Sequence, residues 1–236
     1  MYQERTYRKE VFNDLKTRQI ILGESDLMIY YSGTLKGAES ELRSIRRRIK
    51  NHIKREPHFI HALSPLSPLV EEDRVITHMK KASSALHVGP MASVAGAVSY
   101  YLGEALSPLN EDLIIENGGD LYVKSTTLRH IKIHSASKAF EGGVTIKVAP
   151  ETTPLGICTS SGTLGHSLSF GRADAVVVVS EDPLLADAAA TAIGNVVQTR
   201  EDIPRAIAYA RKIPGLLGIL ILADDRLGVW GDISLL

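Results

Sequence analysis

Leu113-Ile114-Ile115-Glu116-Asn117-Gly118-Gly119-Asp120-Leu121-Tyr122-Val123-Lys124 reads as two short apolar strands joined by a glycine turn. Asn-Gly between apolar runs is the commonest signal for a type I′ hairpin turn, because both central residues of that turn need positive φ. Outward from this stretch the pattern repeats. Ile131–His134, Val144–Val148, Ile157–Thr159 and Ala175–Val179 are further short runs with turn residues between them. Upstream, Gln19–Leu22 and Asp26–Tyr31 flank Gly23-Glu24-Ser25; downstream, Leu216–Leu222 and Val229–Leu235 flank 224–228 as a final hairpin. Parallel strands need crossovers of a dozen or more residues, so these short connections predict antiparallel pairing. The expected fold class is α+β, one domain over 1–236, with antiparallel sheets and helices packed on one face.

The helices have their own signatures. Leu42, Ile45, Ile49 and Ile53 recur at steps of three and four and stop before Pro57, which predicts an amphipathic helix. Residues 36–56 hold eight basic and three acidic groups, net +5. That helix is either a solvated basic face or a docking face for an anion or partner. Residues 72–87 read as a helix with Val75, Ile76, Met79, Ala82 and Leu86 on its apolar side. Met91–Val98 is small and apolar all round, so a helix over 91–106 should be buried and close to neighbouring backbone, within one chain or across a homodimer. Helices return at about 183–197 and 202–212. The paired prolines of 64–68 mark a loop rather than a linker, because the apolar pattern resumes at once.

Composition narrows the function. The 236 residues carry 27 basic and 27 acidic side chains, so bulk attraction to nucleic acid or anionic lipid is not expected. The single cysteine, Cys158, excludes an internal disulfide framework and an all-cysteine metal site. No apolar run approaches the ~18–20 residues of a membrane span, and residues 1–10 lack the apolar core of a signal peptide. A reduced, cytoplasmic location is the default expectation.

Three segments can carry chemistry. Glu116–Asp120 is a hairpin turn whose Gly118 and Gly119 also offer bare backbone to a ligand, beside Asn117 and Asp120. Thr159, Ser160, Ser161, Gly162 and Thr163, with Gly165, His166, Ser167 and Ser169, put six hydroxyls, two glycines and a histidine within 159–169. Such a turn is either a solvent loop or an anion-binding concavity suited to a phosphate or pyrophosphate. His166 is able to bind phosphate, move a proton near neutral pH, or cap a turn. In Leu185–Asn195, Asp187, Thr191 and Asn195 stand at i, i+4 and i+8 on one helix face among small residues. A carboxylate on such a helix needs a partner or a cation, and with a hydroxyl it is hard-ligand chemistry suited to Mg²⁺ or Ca²⁺; a capping role is the plainer alternative.

Together, and in this order, Asn117-Gly118-Gly119-Asp120, Thr159-Ser160-Ser161-Gly162 with His166, and Ala186-Asp187-Ala188-Ala189-Ala190-Thr191-Ala192 resemble the N-x-G-G-D, T-S-G…H and A-D-A-x-x-T-A elements of the ApbE-like superfamily. Its best-known members are FAD:protein FMN transferases, once called thiamine-biosynthesis lipoproteins. With Val88–Ala97 added, nearly the whole chain looks like the compact, uncharacterised prokaryotic branch of that superfamily. The resemblance implies Mg²⁺ on Asp187 and Thr191 beside an FAD pyrophosphate, and phosphoryl transfer to a threonine of a target protein. It also places Thr159–Gly162 near the nucleotide. Two departures stand out. Ser93–Val98 lacks the lysine of the transferases' A-K-G-Y segment, and His166–Gly171 lacks their Asp-Pro. These leave three readings: an Mg²⁺-dependent enzyme acting on FAD or a related pyrophosphate, a non-catalytic binder of a flavin, pterin or nucleotide, and a structural protein that lost its site.

Overall fold

A computed structural model describes residues 12–135, 137–162 and 170–236. The chain opens with the hairpin β1 (Lys16–Leu22) and β2 (Ser25–Tyr31), followed by α1 (Ala38–Arg55), α2 (Arg74–Ser84) and α3 (Val94–Leu106). The hairpin β3 (Leu113–Asn117) and β4 (Asp120–Lys124) comes next, then β5 (Arg129–Ile133), β6 (Val144–Val148), β7 (Leu155–Ser160) and β8 (Ala175–Ser180). Helices α4 (Pro183–Val196) and α5 (Ile203–Ala210) precede β9 (Leu216–Ala223), β10 (Arg226–Gly231) and β11 (Ser234–Leu235).

Eight strands form one sheet in the order β1-β2-β3-β4-β7-β8-β9-β10, and every pairing is antiparallel. A smaller sheet has the order β11-β6-β5. The expected final strand over 229–235 is therefore two strands: Gly231 at φ +84 breaks the run, and β11 pairs with β6 in the other sheet.

The strands' two-residue period sorts the core into two layers. Ile20, Ile29, Leu113, Ile115 and Tyr122 face α1, α2 and α3, while Cys158, Val176, Val178, Ile219 and Ile221 face α4 and α5. Alternate residues, among them Ile114, Val123, Ile157, Val177 and Leu220, pack on Ile131, Ile133, Ile146 and Val148 of the small sheet. The helices thus lie on one face of the large sheet, as the turn spacing implied, and the small sheet covers the other.

Close backbone approach sets where α3 and α4 sit. A Cβ on Gly96 would lie 2.4 Å from the Pro183 carbonyl, and one on Gly103 would meet the Tyr122 ring at 2.6 Å. A Cβ on Gly156 would meet Pro183 at 2.5 Å; further along, Gly162 abuts Gly171 and Gly171 abuts Gly194. Helix α4 therefore runs beside β7 along its length. The expectation that the helix over 91–106 is buried all round holds only in part: Ser93 and Gly96–Val98 are buried, whereas Met91, Ala92, Val94 and Ala95 are partly exposed. Glu104 and Ala105 near its C-terminus are exposed, and its packing on α1, α4, β3 and β4 is within this chain.

Candidate functional site

The Glu116–Asp120 turn is a two-residue hairpin closed by the pair Asn117↔Asp120. Its central residues are Gly118 (φ 71) and Gly119 (φ 107), so the positive-φ positions fall on the glycine pair, not on Asn-Gly. Glu116 is buried and accepts from the Gly118 N–H at 2.7 Å and the Gly119 N–H at 3.2 Å, which fixes the tip. A Cβ on Gly119 would stand 3.8 Å from Thr159, so the tip lies next to the end of β7. Asn117 is turned inward, and its Nδ2 donates to the Ala95 carbonyl at 3.2 Å.

The pleat then decides where the acids go. Asp120 has the parity of Tyr122 and faces the helices, where it is 4% exposed. The Thr159 N–H donates to its Oδ1 at 3.3 Å, and the Cys158 thiol lies against it. Asp187, from the first turns of α4, arrives at the same place. Its Oδ2 accepts from the Gly96 N–H at 2.8 Å, and the Ala95 N–H beside it also favours the charged carboxylate. Those donors belong to the first turn of α3, which has no side-chain cap of its own. Asp187 is thus an N-cap supplied by another helix, and the positive end of α3 favours its charge.

Burial nevertheless outweighs those N–H groups. The residue keeps a partly exposed rim, but its carboxyl is enclosed, and this pushes its pKa up to about 7 against the Gly96 and Ala95 N–H groups. Burial raises Asp120 well above the usual carboxylate range, and the nearby Asp187 charge raises it further. Burial and then these two carboxylates push up the Cys158 thiol as well. Two enclosed carboxyls that repel each other hold protons or a cation.

The rest of the α4 stripe follows outward. Asp187, Thr191 and Asn195 are each partly exposed, between buried Ala188, Ala189, Ala190, Ala192, Ile193 and Gly194. Asn195 Oδ1 accepts from the Phe170 N–H at 2.9 Å, which ties the end of the stripe to the chain returning towards β8. Ser160 has the parity of Cys158 on β7 and is 4% exposed. Its Oγ has no hydrogen-bond partner among the described residues. Ser161 is partly buried, and the Gly162 N–H donates to the Ala173 carbonyl at 3.0 Å. Thr163 and His166 lie outside the described residues. The donor set facing the α3–α4 junction is carboxylate and hydroxyl oxygen, which fits a hard divalent cation; the protonated, buried thiol does not.

A family model described as AbpE bacteria matches residues 9–217. The chain belongs to the AbpE bacteria family. A UPF0280 protein from Methanothrix thermoacetophila is 34% identical over 198 residues, covering 83% of each chain. A UPF0280 protein from Methanocaldococcus jannaschii is 33% identical over 223 residues, covering 92% of this chain and 91% of that one. Among solved structures, the apo flavinyl transferase ApbE from Pseudomonas stutzeri aligns with a TM-score of 0.57 at 12% identity, covering 92% of this chain and 93% of that one. A variant of the flavin transferase ApbE from Vibrio cholerae aligns with a TM-score of 0.60 at 12% identity, covering 93% and 97%. These alignments establish that the chain has the ApbE fold.

Three features of the site were not read from the sequence: the meeting of Asp120 with Asp187, the capping of α3 by Asp187, and Cys158 beneath the acids. Pleat parity was the available signal, since it puts Cys158 and Ser160 on one face of β7. Among the described residues no helix is long and apolar enough to cross a membrane.

Proposed function

We propose that the chain binds a flavin nucleotide, FAD or a related pyrophosphate, together with Mg²⁺, and performs phosphoryl transfer on it. The observation that carries this reading is the enclosed carboxyl pair Asp120 and Asp187, assembled where the glycine tip, the end of β7 and the start of α4 converge. The flavinyl transferase named among the fold neighbours supports the choice of flavin. In this reading Asp187 and Thr191 hold Mg²⁺, with Asp120 behind them. Asn117, Gly118 and Gly119, with Thr159, Ser160, Ser161, Gly162 and Thr163, line the phosphate site and offer it hydroxyl donors, since the Gly118, Gly119, Thr159 and Gly162 N–H groups are already bonded within the protein. The bound cation supplies Lewis-acid neutralisation of phosphate oxygens. Gly118 and Gly119 let a pyrophosphate approach the backbone without a Cβ in the way. Ser160 Oγ, without a partner among the described residues, supplies a donor aimed at the helix side of β7. His166 moves the proton of the acceptor hydroxyl, and the acceptor is a protein side chain.

A second reading, binding without turnover, is favoured by one observation. Val94 and Ala95 precede Gly96 at the start of α3, so that stretch offers the site no lysine ammonium. One experiment separates the two. The purified protein is incubated with FAD, Mg²⁺ and threonine-bearing acceptor proteins whose hydroxyl takes the FMN group, and AMP, the leaving group, is measured by chromatography. AMP release that depends on Mg²⁺ and is lost in Asp187→Asn supports transfer. Mg²⁺-dependent FAD binding without AMP release supports the carrier. Neither binding nor release refutes both.

A further inference from the structure

The opposite end of the large sheet carries a second feature. Strand β1 is an edge; among the described residues its one sheet neighbour is β2. Their two-residue turn has Gly23 at φ +57 and closes on the pair Leu22↔Ser25. A turn of this length closes on a hydrogen-bonded pair, and antiparallel pairs alternate from there. The N–H and C=O groups of Lys16, Arg18, Ile20 and Leu22 therefore point at β2. Those of Thr17, Gln19 and Ile21 point outward along the open edge. Natural proteins blunt a long edge with charged side chains, a bulge or a proline; β1 carries Lys16 and Arg18, with Arg18 drawn to Glu39 of α1. The seven residues of β1 run in unbroken register and contain no proline.

Helix α1 runs alongside this edge. Arg18 pairs with Glu39, and Arg46 pairs with Glu24 at the turn. Between helix and edge lies a groove of about 150 Å³ lined by Gln19, Ile20, Ile21, Leu22, Glu39 and Arg43. Arg43 and Arg47, one turn apart on the outer side of α1, are exposed and make no ion pair among the described residues. The two faces of β1 differ. Ile20 is buried under α1, whereas Ile21, on the other face, is 57% exposed.

We propose that the β1–α1 groove docks an extended segment of a partner protein in which acidic and apolar residues alternate. The segment adds a strand to β1 through Thr17, Gln19 and Ile21. Its acidic side chains meet Arg43 and Arg47 on the helix side, and its apolar side chains cover Ile21 on the other. A second copy of this chain is a poor occupant, because a two-fold axis at Gln19 would set Lys16 opposite Leu22 and Arg18 opposite Ile20, and β1 brings no carboxylate to the basic side chains. The surface stands independently of the flavin reading.

The test uses the full chain and a capped peptide of alternating glutamate and valine. Binding is followed by fluorescence anisotropy, and amide hydrogen exchange is measured residue by residue. The expected result is slowed exchange at Thr17, Gln19 and Ile21. Affinity should fall at least about tenfold in Arg43→Glu/Arg47→Glu, whose positions are on the surface. Gln19→Pro, which removes an outward donor, should also block binding. The proposal is overturned if the peptide does not bind, or if a lysine–valine peptide binds equally well. Binding that leaves the β1 amides unprotected also overturns it. Tighter binding of a single-stranded oligonucleotide would assign the basic stripe to nucleic acid instead.

Discussion

Replacing Asp187 with asparagine separates the two opposing roles of this residue. Asparagine has the same shape and still accepts from the Gly96 N–H, but it carries no charge. The unfolded chain ionises Asp187 near its ordinary value of 3.8, and the folded chain near 7. Between those values the folded state holds the extra proton, so its stability falls as pH rises through this window and levels off above it. Each pH unit is worth about 1.4 kcal/mol, so the charged form costs the folded protein about 4 kcal/mol at pH 8. Asp120 answers to the same charge, so this figure belongs to the pair. In chelator, Asp187→Asn should be within about 1 kcal/mol of wild type at pH 4 and up to about 4 kcal/mol more stable at pH 8. Saturating Mg²⁺ should narrow that gap at pH 8. A cation at a hundred times its Kd adds about 2.7 kcal/mol to wild type and nothing to the variant. Urea unfolding across pH, with and without Mg²⁺, measures all of this. If the variant loses as much stability at pH 8 as at pH 4, Asp187 is a favourable helix cap and nothing more, and the reasoning fails.

Three further outcomes follow from the packing. Gly96→Ala would press a methyl on the Pro183 carbonyl and the Asp187 Cβ, so urea unfolding should show a loss of about 1–3 kcal/mol together with a weaker Mg²⁺ response. Lys80 is 1% exposed and donates to Glu56 at 2.8 Å, Glu72 at 2.6 Å and the Ser67 carbonyl at 3.0 Å. Lys80→Met would strand two carboxylates and should cost about 3–5 kcal/mol at pH 7, with a smaller loss at pH 4. Asp112 is held at a pKa of about 2, where hydrogen bonds from Ser125, Thr126 and Arg129 outweigh the burial that opposes its charge. It therefore contributes about 2 kcal/mol above pH 4 that is lost as pH falls towards 2. Asp112→Asn should remove that slope from the acid limb of the unfolding curve.

The sheet was legible because its connections are short. Hairpins at 16–31, 113–124 and 216–231 follow from apolar runs around glycine or aspartate turns, and local turn chemistry sets their pairing. The amphipathic spacing of α1 likewise survives, with Leu42, Ile45 and Ile49 buried and Arg43, Arg47 and Arg55 exposed. What depends on distant contacts was not legible. The split between β10 and β11 requires β6 as a partner, 86 or more residues earlier in the chain. Lys80 sits among the apolar positions of α2 because Glu56 and Glu72 come to meet it, and nothing in the helix's own period announces them. At the candidate site, Asp187 and Thr191 were readable as one helix face. That Asp120 would reach the same point needs, beyond the pleat of β4, Gly96 drawing α3 onto α4, and that approach is visible only once the layers are assembled.

We propose above that the Asp120–Asp187 site takes a flavin nucleotide with a divalent cation. Isothermal calorimetry of FAD binding tests it most directly, with wild type and Asp187→Asn each titrated in Mg²⁺ and in chelator. Binding to wild type should require Mg²⁺ and be lost in the variant. Binding of equal strength in all four titrations, or none in any of them, would contradict it.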